Sequence, residues 1–194
     1  LSALDGVEDK LEAGAKIADV GCGHGASTIV MAKEFPNSVF FGFDSHHESI
    51  AIARQRAKEA GVEDNTHFLT STAKDYTETG FDLICFMDCL HDMGDPVGAA
   101  AHGRKALKEG GSVLLVEPAA SDDLEGNINP VSRLYYAAST AVCTPCSLSQ
   151  EVGLALGAQA GQRRLSDVMR EAGFGSTTRA AETPFNNILD CRAA

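Results

Sequence analysis

The chain has 194 residues, 44% of them hydrophobic and 22% charged, with a formal net charge of −11 from 16 basic and 27 acidic side chains. A chain of this length buries one good core, and the acidic excess argues against a nonspecific grip on nucleic-acid phosphate, which needs clustered Lys and Arg. No apolar run approaches the roughly 20 residues of a membrane span, and no signal-peptide pattern opens the sequence.

LSALDGVEDKLEAG reads as a helical lead-in and, with Leu rather than Met at position 1, as the opening of a piece of a longer protein. KIADV (16–20) reads as a strand that runs into a glycine-rich turn. Ala26, Ile29, Val30 and Phe35 then recur near helical spacing until Pro36-Asn37. SVFFGF (38–43) is a buried strand, and the helix after it, from about Glu48 to Ala60, stops at Gly61. THFLT (66–70) and FDLICFM (81–87) are the next strands, the latter apolar on both faces as a central parallel strand is. The crossover between them, 71–80, is short and weakly helical. Val97, Ala100, Ala101 and Leu107 mark a helix closed by Gly110-Gly111, and SVLLVE (112–117) is the fifth strand. Five strands with four crossovers make an open parallel α/β sheet.

Residues 118–164 break this rhythm with Asn, Ser, Ala and Gly, and read as a partly helical cap inserted over about 120–163. Arg164 to Ala172 is one more helix. STTRAAE (176–182) and FNNILDC (185–191), joined at Thr183-Pro184, form an antiparallel hairpin. No internal repeat appears, so the expectation is a single domain over 1–194.

Of the six cysteines, Cys85 and Cys191 lie in apolar runs, and Cys143 and Cys146 form a lone C-x-x-C. Zinc takes four ligands and no second pair has matching spacing, so no metal is assigned. Reduced thiols point to the cytoplasm.

In an open α/β sheet, ligands bind outside the carboxyl ends of the strands. The residues that carry chemistry lie there: Gly21-Cys22-Gly23-His24-Gly25 after the first strand, Asp44 after the second, Ser71-Thr72-Ala73-Lys74 after the third, Asp88-Cys89-Leu90-His91-Asp92 after the fourth, Glu117-Pro118 after the fifth. Glycines let the backbone approach a ligand closely. Asp44 lies 21 residues beyond Gly23, the distance at which an acidic side chain takes the hydroxyls of a ribose. The spacing is G-x-G-x-G rather than the dinucleotide G-x-G-x-x-G, and Asp19 beside the loop repels a pyrophosphate but suits an ammonium group. No Gly-Lys-Ser/Thr follows, so a P-loop fails. His46-His47 reads as a surface pair.

Together, D-V-G-C-G-H-G, Asp44 and L-K-E-G-G-S-V-L-L-V-E-P resemble class I S-adenosylmethionine-dependent methyltransferases, from about Lys16 to Arg192. The resemblance implies a Rossmann-like open sheet of seven strands in the order 3-2-1-4-5-7-6, strand 7 antiparallel. DCLHDMGDPVGAA is similar to a bacterial subgroup with an amino-terminal winged-helix-like dimerisation domain, which implies a homodimer through a region outside this sequence.

Carried over by position, Gly21, Gly23 and Gly25 let the backbone meet the methionine part of S-adenosyl-L-methionine, and Asp19 holds its amino group. Asp44 takes the ribose hydroxyls, with Ser45 or His46 beside the adenine. Thr72 and Ala73 lie near the adenine ring, where the family often has an Asp and this chain has none before Asp75; Asp88 lies near the methionine end. Methyl transfer from a sulfonium is an in-line displacement in which the protein supplies alignment and exclusion of water. His91 is the candidate general base, oriented by Asp92 or Glu117. Arg133, Tyr135 and Tyr136 are candidates for lining the acceptor pocket. The implied activity is methylation of an oxygen or nitrogen on a small molecule. The rival readings are a noncatalytic ligand sensor on the same fold and an NAD-dependent dehydrogenase.

Overall fold

β1 (Lys16–Val20) is buried along nearly its whole length and pairs in parallel with strands on both sides. Its partners are β2 (Val39–Asp44), in register Ile17 to Phe40, and β4 (Phe81–Met87), in register Ile17 to Leu83. β2 in turn pairs in parallel with β3 (Thr66–Thr70). The computed structural model describes residues 1–193. Among them the sheet has seven strands in the order β3-β2-β1-β4-β5-β7-β6, completed by β5 (Leu107–Pro118) and the antiparallel hairpin of β6 (Phe174–Glu182) and β7 (Asn186–Ala193). The strand order reverses at β1 and β4, and the glycine turn leaves the carboxyl end of β1 at that switch point.

The chain divides into two compact units, Leu1–Met87 with Lys105–Leu114, and Asp88–Arg104 with the chain from Leu115 onward. In the first unit, α1 (Val7–Ala13) buries Val7 and Leu11, as the apolar spacing of the lead-in expects. α2 (Ala26–Glu34) and α3 (His47–Ala60) follow β1 and β2. His46 caps α3 by accepting the Ser49 N–H on its ring, and Gly61 ends it in a left-handed conformation. The core is aromatic as well as aliphatic: Phe43 stacks on Tyr76 with centroids 4.4 Å apart, and Phe81 meets Phe41 edge-on at 5.7 Å.

Two boundaries differ from the sequence reading. The 71–80 crossover forms no helix, only a turn in which the Asp75 N–H donates to the Thr72 carbonyl. α4 (Pro96–Ala106) ends sooner than the Gly110-Gly111 stop predicts, and β5 begins at Leu107. Gly110 takes φ 72° inside the strand, so it serves an irregularity in an extended segment rather than a helix end.

In the second unit the cap is helical through its middle: α5 (Pro130–Ala138), a π-helical turn over Ser139–Cys143, and α6 (Thr144–Leu148). Asn129 caps α5 by accepting the Ser132 N–H, with Pro130 at the first helical position. α7 (Gly161–Glu171) buries Leu165, Val168 and Met169 and packs on β6. Thr183 closes the hairpin, its hydroxyl accepting the Phe185 and Asn186 N–H groups.

Candidate active site

The glycine loop is held by the strand beside it. The N–H groups of Gly21 and Cys22 both donate to the Phe43 carbonyl, at 2.8 and 3.1 Å, and Gly21, Gly23 and Gly25 all have positive φ. Two of these glycines serve different ends. A Cβ on Gly23 meets nothing within 4 Å, so that stretch of backbone faces open space. A Cβ on Gly25 falls 2.8 Å from the Phe68 ring, so this glycine permits close packing of loop on strand.

Asp44 joins the loop to the end of β2. Its Oδ2 accepts the Gly23 N–H at 2.9 Å and its Oδ1 accepts the His46 N–H at 2.8 Å. Each carboxylate oxygen keeps a second lone pair for a hydroxyl. The Ser71 N–H donates to the Asp44 carbonyl at 2.9 Å, which continues the pairing of β2 and β3 into the loop that carries Thr72 and Ala73. The Thr72 hydroxyl donates to Asp75 at 2.5 Å. Ser45 is exposed.

Asp19 is 1% exposed. Its Oδ2 accepts both the Ser27 and the Thr28 hydroxyls at 2.6 Å, while Oδ1 is buried with no hydrogen bond among the described residues. Burial pushes this carboxyl above the usual aspartate value, against the pull of the two hydroxyls. A buried, unsatisfied anionic oxygen beside open glycine backbone fits a cationic ligand group, and the ribose-competent Asp44 belongs to the same unit. These residues therefore fit an adenosyl ligand that carries an ammonium group.

The second unit holds a different chemistry. His91 lies in a 3₁₀ turn, Leu90–Asp92, and is 4% exposed. Its Nδ1 is 2.6 Å from Oε2 of Glu117, which is 1% exposed, and the other Glu117 oxygen accepts the Leu90 N–H at 3.0 Å. On the far side of the ring, Nε2 lies 3.3 Å from Asp92 Oδ1. Burial alone pushes the imidazole down; the hydrogen bond and charge of Glu117, with Asp92 and Asp88 behind them, outweigh it and hold the ring above its ordinary value. Asp88 is exposed, with φ 59°, a conformation that Asp adopts more readily than most residues. Its charge reaches His91, Glu117 and Tyr135.

The acceptor candidates separate. Tyr135 is half-buried and its hydroxyl donates to the Phe185 carbonyl at 3.0 Å, whereas Arg133 and Tyr136 are exposed. Sequence spacing missed Cys143 and Gln150. Cys143 is buried, with Cys146 exposed, so the C-x-x-C does not act as a pair. Gln150 accepts the Gly94 N–H at 3.0 Å and donates to the Asp92 carbonyl at 2.9 Å, which ties the cap to the His91 turn. Both partners are main-chain groups, and no residue pattern marks such contacts.

Among the described residues no helix is long and apolar enough to cross a membrane. Over 104 residues the chain is 33% identical to a ubiquinone biosynthesis O-methyltransferase of Aliivibrio fischeri, a match covering 52% of this chain and 43% of that protein. It superposes on the mitomycin 7-O-methyltransferase MmcR with a TM-score of 0.72 at 16% identity, covering 94% of this chain and 50% of the other. It also superposes on the O-methyltransferase NcsB1 from neocarzinostatin biosynthesis, solved with S-adenosylmethionine and 2-hydroxy-5-methyl naphthoic acid, with a TM-score of 0.69 at 18% identity, covering 97% and 52%. The chain thus spans about half the length of the relatives it matches. Residues 11–173 match the family described as methyltransferase domain, and the chain belongs to that family.

Proposed function

We propose that this domain moves a methyl group from S-adenosyl-L-methionine to a hydroxyl oxygen of a small organic acceptor. The observation that carries the reading is the Asp44 carboxylate bonded to the Gly23 amide, in the same unit as the unsatisfied Oδ1 of Asp19. Asp44 takes the ribose, Asp19 the amino group, and the bare backbone of Gly21, Gly23 and Gly25 the methionyl part. Ser45, Thr72 and Ala73 flank the adenine, and Asp88 lies toward the methionine end. When bound, the cofactor supplies an electrophilic methyl group on a sulfonium.

The protein's own contribution on the acceptor side centres on His91. Glu117 fixes the ring by accepting the hydrogen bond from the Nδ1–H, which leaves Nε2 to accept the acceptor's hydroxyl proton. The imidazolium formed is stabilised by Glu117 and Asp92. Tyr135 lines the acceptor side, and Arg133 and Tyr136 belong to the same cap helix. Oxygen is favoured over nitrogen because the similar proteins named above are O-methyltransferases. The DCLHDMGDP motif (88–96) supports membership of the bacterial subgroup that dimerises through an amino-terminal winged-helix-like domain.

The test is a pair of measurements. Calorimetry with S-adenosylhomocysteine and, separately, NAD reads the cofactor; methyl release across small phenols, amines and carboxylates reads the acceptor. Heat with S-adenosylhomocysteine alone and turnover on phenols bear the proposal out. Binding of NAD in its place restores the dehydrogenase reading, and cofactor binding without turnover on any acceptor favours a sensor.

A further inference from the structure

His91, Asp92 and Cys143 bring a ring nitrogen, a carboxylate oxygen and a sulfur within 4.8 Å of one another. All three belong to the second unit, but Cys143 arrives from the cap, so no local spacing links it to the His91 turn. Glu117 occupies Nδ1, which leaves Nε2 as the free ring ligand, and Nε2 faces Asp92 Oδ1 at 3.3 Å. Asp92 Oδ1 is a buried atom on a part-exposed side chain, and the groups that face this carboxylate are the His91 ring and the Cys143 thiol. Nitrogen, oxygen and sulfur therefore converge on one point, with the Asp88 carboxylate adding negative potential around it. The Glu117–His91 bond matches the carboxylate that a metal-bound imidazole characteristically carries on its other nitrogen.

We propose that His91 Nε2, Asp92 Oδ1 and Cys143 Sγ form a three-donor site for a borderline-soft divalent cation of the Zn²⁺ type, with a fourth position open to water or an oxygen ligand. The sulfur and nitrogen donors select against Mg²⁺ and Ca²⁺, which take oxygen ligands. Binding exchanges the Cys143 thiol proton for the metal: an S–H bond breaks, an S–metal bond forms from the thiolate pair, and the proton leaves to solvent. An ion there occupies the imidazole nitrogen that methyl transfer uses and inhibits turnover. Only that last consequence rests on the function proposed above; the site itself rests on the donor geometry.

The test uses the whole chain, stripped with chelator, without cofactor or acceptor. Equilibrium dialysis with Zn²⁺ alone is expected to retain a single equivalent. Titration with Co²⁺ is expected to give the intense visible bands of a tetrahedral ion together with a sulfur-to-cobalt charge-transfer band. Cys143→Ser removes that band, and Cys146→Ser, which alters the exposed neighbouring sulfur, keeps it. Asp92→Asn keeps the band and weakens binding, so the assignment does not hang on one variant's folding. Glu117→Gln lowers affinity about 10- to 100-fold. Absence of stoichiometric binding overturns the proposal, as does a charge-transfer band that persists in Cys143→Ser. Either result leaves the methyl-transfer reading standing, because that is read by S-adenosylhomocysteine affinity and methyl release.

Discussion

The carboxylate of Asp44 accepts the backbone N–H of Gly23 at 2.9 Å and so joins the ends of β1 and β2. One side chain fixes the glycine loop and, on the function proposed above, presents the oxygens that take the cofactor's ribose. Asp44→Ala removes both functions. Hydrogen bonds to a charged group contribute about 1.5–3 kcal/mol, so calorimetry should read at least about tenfold weaker S-adenosylhomocysteine binding. Unchanged affinity would take Asp44 out of the site.

Asp19 predicts a trade of stability against binding. Burial raises its folded pKa above the unfolded value, so the folded state holds its proton more tightly. Stability is then lost as pH rises from the ordinary aspartate range through the raised folded value, and the penalty is complete above it. Asp19→Asn removes that penalty while keeping an oxygen for Ser27 and Thr28. The ligand-free variant should melt higher than wild type at neutral pH, by about 2–4 °C for each 1 kcal/mol gained, with the gap narrowing as the pH falls toward 4. Its S-adenosylhomocysteine affinity should drop. A variant that melts no higher and binds as well removes the assigned role.

The strands of the first unit were legible because Ile17, Phe40 and Leu83 sit in apolar runs bounded by glycine or polar breaks, and burial on both faces writes such runs directly. The terminal hairpin was legible from Thr183-Pro184. The start of β5 was not: Gly110-Gly111 carries the same signal whether it ends a helix or distorts a strand, and the tertiary context decides. Of the candidate site, the placement of Asp19, Gly21 to Gly25 and Asp44 at strand ends was readable from the apolar runs that precede them. Cys143 and Gln150 were not, because what they touch lies some fifty residues away in sequence and includes main-chain atoms.

Gly25 and Gly42 separate two physical effects at one aromatic ring. A Cβ on Gly42 falls 2.5 Å from Phe68, and one on Gly25 falls 2.8 Å from it with φ 74° in addition. Gly42→Ala tests the clash alone, which costs about 1–3 kcal/mol. Gly25→Ala adds about 1–2 kcal/mol for the left-handed conformation. Thermal melts should show both variants destabilised. If Gly25→Ala is neutral, the loop is looser than its packing implies.

Gln150 tests whether the cap positions the base. Its amide bridges the Gly94 N–H and the Asp92 carbonyl, while the Ser147 hydroxyl donates to the Met93 carbonyl at 2.8 Å and the Gly157 N–H to the His91 carbonyl at 3.3 Å. Gln150→Ala loosens one of these ties without touching the imidazole. A misplaced catalytic group lowers turnover more than binding, so kcat should fall with KM for the acceptor nearly constant. A fall in thermal stability with kcat intact would mark Gln150 as purely structural.

Glu117→Gln is the sharpest test of the base, because it changes a proton position and little else. The amide oxygen of Gln still accepts the Leu90 N–H, which directs the amide NH₂ at His91 Nδ1. An N–H facing Nδ1 forces the ring proton onto Nε2, the atom assigned to receive the acceptor's proton. The imidazole stays in place with the wrong tautomer, and the buried charge that stabilises the imidazolium is gone. General-base contributions of about 10²- to 10⁴-fold set the expected loss in kcat, with S-adenosylhomocysteine affinity unchanged since Asp44 and Asp19 are untouched. His91→Ala should lose a similar factor, and the double variant little more than either single one, because residues acting as a unit are not additive. Full turnover in Glu117→Gln would leave methyl transfer to alignment alone and remove His91 from proton transfer.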